Sequence, residues 1–235
     1  MKILAIDTSS NVATVAVTDD TKLAGEYILN HKKTHSQKIM PMLDEVMKSL
    51  EIDVNEIDLF AVVTGPGSFT GLRIGVAAVK ALAQVTKKPV VSVDTLEGLA
   101  YNLPFCPHLV VPMMDARRSD VYTAVYDNGT SLEKIIPPCA ISVEECVEQI
   151  KALGKTAVFL GDGAYLHKDY IKEQLGDNAL FAPINVNEQR ASSVAVCAAS
   201  KLASGDTMTY SELEPYYIRK SQAEREYEER KNKEN

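Results

Sequence analysis

The sequence predicts an α/β protein made of two similar halves, on three observations. The chain opens with three short strands joined by tight turns. A glycine-dense loop stands between a buried strand and a long helix, and the opening pattern restarts near residue 109. With 235 residues there is room for one large domain or two small ones, and 46% apolar with 24% charged residues excludes collagen-like, low-complexity and wholly disordered chains.

Ile3 to Asp7 reads as a short apolar strand running into Asp7-Thr8-Ser9-Ser10. Val12 to Thr18 alternates valine with small residues up to the turn signal Asp19-Asp20, and Leu23 to Leu29 reads as a third strand. Such a meander differs from a dinucleotide-binding domain, where a helix follows the first strand. From Ser36 to Leu50 the apolar residues Ile39, Leu43, Val46 and Leu50 recur at helical spacing, with Pro41 near the start. Leu59 to Val63 is a near-continuous apolar run into Thr64-Gly65-Pro66-Gly67, followed by a helix from about Thr70 to Val85. Val90 to Val93 is the next strand, with a short helix from Thr95 to Tyr101. Pro104 and Pro107 then mark a boundary.

Beyond the boundary, Leu109 to Met114 ends in Asp115 as Ile3 to Ile6 ends in Asp7, and Val121 to Asp127 ends at the turn Asn128-Gly129. A shift of 108 residues superposes Asp7 on Asp115, Ala16-Val17 on Ala124-Val125 and Asp19 on Asp127. Helices over Val143 to Leu153, Tyr165 to Leu175 and Ser192 to Ala203, with a strand from Ala157 to Leu160, complete the second half. This pattern suggests the actin-like (ASKHA) fold, a duplicated ribonuclease H-like module with mixed sheets. The expected units are 1–103 and 108–220, with a charged tail at 221–235 that reads as frayed helix or disorder.

A net charge of −7 disfavours a large phosphate-neutralising surface, so if RNA is involved another chain holds most of it. Cys106, Cys139, Cys146 and Cys197 form no C-x-x-C pair, and the first residues lack the apolar core of a signal peptide. No apolar run approaches the roughly 20 residues that cross a bilayer. A reduced, cytoplasmic protein without a membrane partner is expected.

Gly65-Pro66-Gly67-Ser68-Phe69-Thr70-Gly71 is the densest motif. Glycines between a strand and a helix let backbone N–H groups approach an anion, which makes Gly65 and Gly67 phosphate-loop candidates with Asp7. The loop is not a Walker A motif, because Leu72 and Arg73 follow Gly71, and it does not satisfy G-x-G-x-x-G. The alternative is a tight turn that lets the helix pack closely on its sheet. Asp7 and Asp115 at strand ends could face phosphates or orient a metal-bound water, or could simply form turns by accepting from backbone N–H groups. His31 and His35 have i, i+4 spacing, but no third ligand is evident and Lys32 and Lys33 oppose a cation; His35 more simply makes a polar contact at the following helix. His108 and His167 stand alone, and no serine lies in a nucleophile elbow. Three of the seven methionines, Met40, Met42 and Met47, lie on or near the apolar stripe of the first helix, as in a core or on a partner-binding face.

The chain resembles the TsaB (YeaZ) family of bacterial tRNA threonylcarbamoyladenosine (t6A) biosynthesis proteins. The likeness runs through Ile6-Asp7-Thr8-Ser9, Thr34-His35-Ser36, the segment Gly65 to Gly75, Met114-Asp115-Ala116-Arg117-Arg118-Ser119-Asp120-Val121-Tyr122 and Glu214-Pro215-Tyr216-Tyr217-Ile218-Arg219, covering nearly the whole chain. The resemblance implies a non-catalytic partner that binds and activates the related enzyme TsaD, with TsaE joining the assembly. It also implies tRNA contact only through the complex and a homodimer when TsaD is absent. TsaD carries a metal-binding His-x-x-x-His, and Thr95 and Leu99 occupy the corresponding positions here, so no metal is expected. No tightly bound cofactor is expected either, ATP or ADP entering only in the assembled complex. The implied partner contacts are Ile39, Met40, Leu43 and Met47 on the first helix with Leu72, Val76, Val79 and Lys80 on the second. The rival reading is an actin-like phosphotransferase using Asp7 and the loop Gly65 to Gly71. A peptidase has no nucleophile and base pair to support it.

Overall fold

A computed structural model describes residues 1–31 and 35–219, and of His35 the backbone alone. The expected tail at 221–235, Lys32, Lys33, Thr34 and the polar contact expected of His35 lie outside the described residues.

Strands β1 (Lys2–Asp7) and β4 (Leu59–Gly65) are apolar almost throughout, as strands covered on both faces must be, and they pair in parallel at the centre of a five-stranded sheet. Antiparallel to β1 runs β2 (Val12–Asp19), with β3 (Lys22–Asn30) outside it; β5 (Val90–Asp94) lies on the other side of β4, giving the order β3-β2-β1-β4-β5. Helices α1 (His35–Ser49) and α2 (Phe69–Thr86) cover one face. Ile39, Met42, Leu43, Val46 and Met47 of α1 and Val76, Val79 and Ala83 of α2 share an apolar cluster with Leu4, Ile6, Val15 and Phe60. Pro41 lies inside α1 rather than at its start. The short α3 (Thr95–Ala100) closes this half.

The second half repeats the plan. Its strands β6 (Leu109–Asp115), β7 (Asp120–Asp127), β8 (Glu133–Ser142), β9 (Ala157–Leu160) and β10 (Ala179–Phe181) take the order β8-β7-β6-β9-β10, strand for strand that of the first sheet. Under the 108-residue shift β2 falls on β7 over its full length. Helix α4 (Val143–Leu153) is as expected, whereas the single helix expected up to Leu175 is two, α5 (Asp162–Leu166) and α6 (Lys168–Leu175), broken at His167. The edge strands β8 and β10 were not expected. Pro137 and Pro138 interrupt the pattern of β8, and an edge position tolerates them because one side of an edge strand needs no donor.

The last helix, α7 (Ala191–Ala203), crosses back to the first sheet. Val194, Ala195, Cys197 and Ala198 pack on Ile3, Ala5, Leu59 and Ala61, the face opposite α1 and α2. Its N-terminus has no local side-chain cap. Glu26 of β3 supplies one: Oε1 accepts from Ser192 N at 2.9 Å and Ser192 Oγ at 2.7 Å, while the Arg190 guanidinium bonds Oε2. Beyond it Met208 bridges to Val90 and Tyr216 N donates to Thr64 O at 2.7 Å. From Ala191 to Tyr217 the chain thus packs chiefly on the first module.

Candidate functional site

The glycine loop sits on the β1–β2 turn. A Cβ at Gly67 would stand 2.4 Å from Ser9 O, and one at Gly71 2.0 Å from Thr8 O. The contact is bonded as well as close: Ser68 N donates to Ser9 O at 2.7 Å and Thr8 Oγ1 to Gly71 O at 2.7 Å. Ser68 also caps α2, its Oγ accepting from Gly71 N at 3.2 Å. At Gly65 the space for a side chain is filled by Tyr216 O, 2.1 Å from an ideal Cβ. Close packing thus accounts for the glycines at Gly65, Gly67 and Gly71, and the N–H groups of Ser68 and Gly71 are already bonded within the chain.

Between the two modules lies a cleft of about 350 Å³, with Ser9, Ser68 and Phe69 on one wall and Asp115, Tyr122 and Asp162 on the other. Asp7 is not among the residues that line it. The Asp7 carboxylate is buried and accepts from Ser9 N at 2.8 Å and Ser9 Oγ at 2.7 Å, and burial pushes its pKa up to about 6. The turn-forming alternative describes Asp7, and its expected place among phosphate-facing groups is corrected. Asp115 makes the same turn, Oδ1 accepting from Arg117 N at 2.8 Å, but its side chain keeps 26% of its surface open and lines the cleft. Asp162 accepts from Asp115 N at 3.1 Å and Gly163 N at 2.9 Å, and burial raises its pKa. Arg117 lines the same wall, its Nε 3.9 Å from the Asp115 carboxylate, so the wall carries charge of both signs.

Thr95 and Leu99 lie on the inner side of α3. Asp94 caps that helix, accepting from Leu96 N at 2.8 Å and Glu97 N at 3.1 Å, with its pKa pushed up to about 6 by burial. Leu99, 1% exposed, packs with Leu96, Val110, Tyr126 and Leu160, and Thr95 Oγ1 is enclosed without a partner among the described residues. No group of three or more His, Cys, Asp or Glu is placed to hold a metal among the described residues. His31 is exposed, and the side chain of His35 lies outside the described residues.

Six of the eight expected partner contacts are core residues. Ile39, Leu43, Met47, Leu72, Val76 and Val79 are buried against the first sheet, because their spacing places them on the inward sides of α1 and α2. Met40 is 47% exposed and Lys80 is half-buried. The outward sides carry Met40, Pro41 and Asp44 on α1 and Arg73, Ala77 and Ala81 on α2, positions that the helical period alone did not separate from the core.

Two mixed sheets of identical strand order with a cleft between them define an actin-like ATPase-fold protein. A solved structure described as an uncharacterized protein with similarity to peptidase YEAZ from Pseudomonas aeruginosa superposes at a TM-score of 0.78 with 24% identity, covering 93% of this chain and 99% of that one. ROK hexokinase from Thermus thermophilus superposes at 0.51 with 11% identity, over 86% and 100%. At these identities the likeness speaks for the fold alone. The family model for TsaD: tRNA N6-adenosine threonylcarbamoyltransferase matches residues 22–227. The tRNA threonylcarbamoyladenosine biosynthesis protein TsaB of Bacillus subtilis (strain 168) is 34% identical over 226 residues, 95% of this chain and 96% of that protein. The chain belongs to the TsaB family, within the wider TsaD family whose model it matches. No described helix is long and apolar enough to cross a membrane.

Proposed function

We propose that this chain is a non-catalytic partner that binds and activates TsaD in forming t6A in tRNA, at the adenosine beside the anticodon. The observation that carries the reading is the burial of Thr95 and Leu99, the positions that would be metal histidines in TsaD: Leu99 is packed in an apolar cluster where no imidazole could reach a metal and solvent together. The sealed carboxylate of Asp7 supports it too. The partner face is the outward side of α1 and α2, where Met40 and Pro41 lie exposed on one helix and Ala77 and Ala81 on the other. Small residues there let a partner helix approach closely, and without TsaD the same face pairs with a second copy. TsaE joins the assembled complex, tRNA is reached only through it, ATP or ADP enters only there, and the site of action is the cytoplasm.

Titration calorimetry with Mg-ATP and with TsaD tests the reading. The isolated chain is expected to bind TsaD but not to turn over nucleotide; tight Mg-ATP binding with hydrolysis by the chain alone would instead establish the phosphotransferase. Met40→Asp with Ala81→Asp should abolish association while the melting temperature stays close to that of the parent. Association that survives the double substitution places the partner elsewhere.

A further inference from the structure

The run from Glu214 to Arg219 reaches from one wall of the cleft to the other. On the first module Tyr216 N is bonded to Thr64 O, the Tyr217 ring stacks on Phe69 with centroids 4.3 Å apart and planes 11° from parallel, and Arg73 Nε donates to Tyr217 OH at 3.0 Å. Two residues on, Arg219 Nη2 donates to Asp120 Oδ2 at 2.7 Å, on the hairpin that joins β6 to β7 in the second module. The modules also meet in the apolar cluster that joins Leu96 and Leu99 of α3 to Val110, Tyr126 and Leu160, and a different segment, Val186 to Gln189, stitches them beside it. Gln189 accepts from Ser10 Oγ at 2.8 Å, Asn187 Oδ1 accepts from Gly161 N at 3.0 Å, and Glu188 O accepts from Asn102 Nδ2 at 2.8 Å.

The two polar attachments differ in kind. The Val186–Gln189 stitch engages largely buried amides and backbone groups, which exchange for water only at a cost. The Arg219–Asp120 pair is a single contact between side chains that are 21% and 29% exposed, so water reaches it and replaces it more readily than the buried stitch. Stacking on Phe69 keeps Tyr217 with the first module when that pair breaks, which makes Arg219 the releasable end.

We propose that Pro215 to Arg219 is a latch: the Arg219–Asp120 pair holds the modules at their closed angle, and its release lets the cleft open about the Val186–Gln189 stitch. Arg73 is the handle. It stands on the exposed side of α2 and grips Tyr217, so contact made on that helix reaches the latch through one hydrogen bond. This coupling rests on the partner reading above; the latch itself does not.

The test uses the full chain with spin labels carried on non-cysteine encoded side chains at Gln84 of α2 and Glu173 of α6, both exposed. Arg219→Gln and Asp120→Asn are each expected to broaden the label distances measured by double electron–electron resonance. The open fraction should rise about two- to five-fold, the size expected for losing a partly exposed ion pair. The exchanged pair, Asp120→Arg with Arg219→Asp, should restore the parent distribution. A distribution unchanged in both single variants overturns the latch, as does broadening that the exchange fails to reverse. Arg73→Ala should broaden the distances in the isolated chain, and TsaD should shift those of the parent. TsaD that binds without a shift overturns the coupling. Failure of TsaD to bind overturns the partner reading and the coupling with it, while the measurements on the isolated chain still decide the latch.

Discussion

At the junction of β4 and α2 the glycine loop rests on the backbone of Thr8 and Ser9; at the junction of β9 and α5, Gly161 and Gly163 rest on Met113 and Met114 in the same way. The strand beneath is β1 or its turn in one case and β6 in the other, so the close approach belongs to the duplicated scaffold rather than to a ligand site in either half. Past these junctions the two modules diverge. In the first module the helix runs unbroken from Phe69 to Thr86 and turns one side outward beside α1, whereas in the second it stops after five residues and restarts as α6. The carboxylates differ too: Asp7 is sealed by Ser9, and Asp115 stays on the cleft wall beside Asp162. One half has closed its strand-end acid into packing and gained an outer helical face, while the other keeps its acids at the cleft.

The strongest test of that equivalence is an added methyl group at each junction. Gly71→Ala would drive its Cβ to 2.0 Å from Thr8 O, and Gly161→Ala to 2.3 Å from Met113 O at a φ of +99°. Backbone oxygens cannot swing aside, so each substitution should cost about 3 kcal/mol or more in urea unfolding. Gly154→Ala, at a φ of +62° with open space around it, should cost only about 1 kcal/mol. A cost at Gly161 no larger than at Gly154 breaks the parallel between the junctions.

The sealed strand-end acid gives the next test. Burial holds the Asp7 carboxyl at about 6 against an ordinary 3.8, so the unfolded chain releases that proton more readily than the folded one. The folded state therefore loses stability as pH rises from about 4 to about 6 and carries the full penalty above that, on the order of 3 kcal/mol. Asp7→Asn keeps an oxygen to accept from Ser9 and removes the charge. It should raise stability at pH 8 by an amount that vanishes toward pH 4. Chemical denaturation at several pH values reads the difference, and a gain that does not change with pH would mean that Asp7 is not sealed.

Helix α7 is the other asymmetry, since it leaves the second half to cover the first sheet. Glu26→Ala removes a carboxylate that accepts from Ser192 and pairs with Arg190, and should cost about 2 kcal/mol. Ser142→Ala removes the neutral cap of α4 and should cost about 1 kcal/mol. Equal losses would show that the Glu26 contact does not anchor the returning helix.

Much of this architecture was legible along the chain, because local signals report it. A short apolar run gave β1 and alternation gave β2, the loop after Val63 gave the crossover, and Asp7 and Asp115 announced the duplication. The return of α7 was not legible, since its apolar face looks the same whichever sheet it covers and its cap, Glu26, lies far away in sequence. The candidate site fared less well for a related reason. The resemblance implies a partner contact on α1 and α2, but the apolar residues that periodicity finds there, Leu43 and Val79 among them, face the core, while exposed Ala77 and Ala81 carry no signal. Asp7 could be a turn or a ligand by sequence, and only the position of Ser9 decided it.

The smallest difference lies in the two hairpin turns. Arg117, Arg118 and Ser119 in the turn between β6 and β7 all have positive φ, near 60°, while no residue of the equivalent Thr8 to Asn11 turn does. A left-handed backbone costs a residue with a Cβ roughly 1–2 kcal/mol. Glycine would recover that but gives up roughly 0.5–1 kcal/mol by enlarging the freedom of the unfolded chain. Relief is the larger of the two, so Arg118→Gly should stabilise by about 0.5 kcal/mol. Asn11→Gly in the first module has nothing to relieve and should lose stability by a similar amount. Paired thermal melts resolve a difference of this sign, and a loss at both positions would show that the second hairpin is not held in the left-handed region in solution.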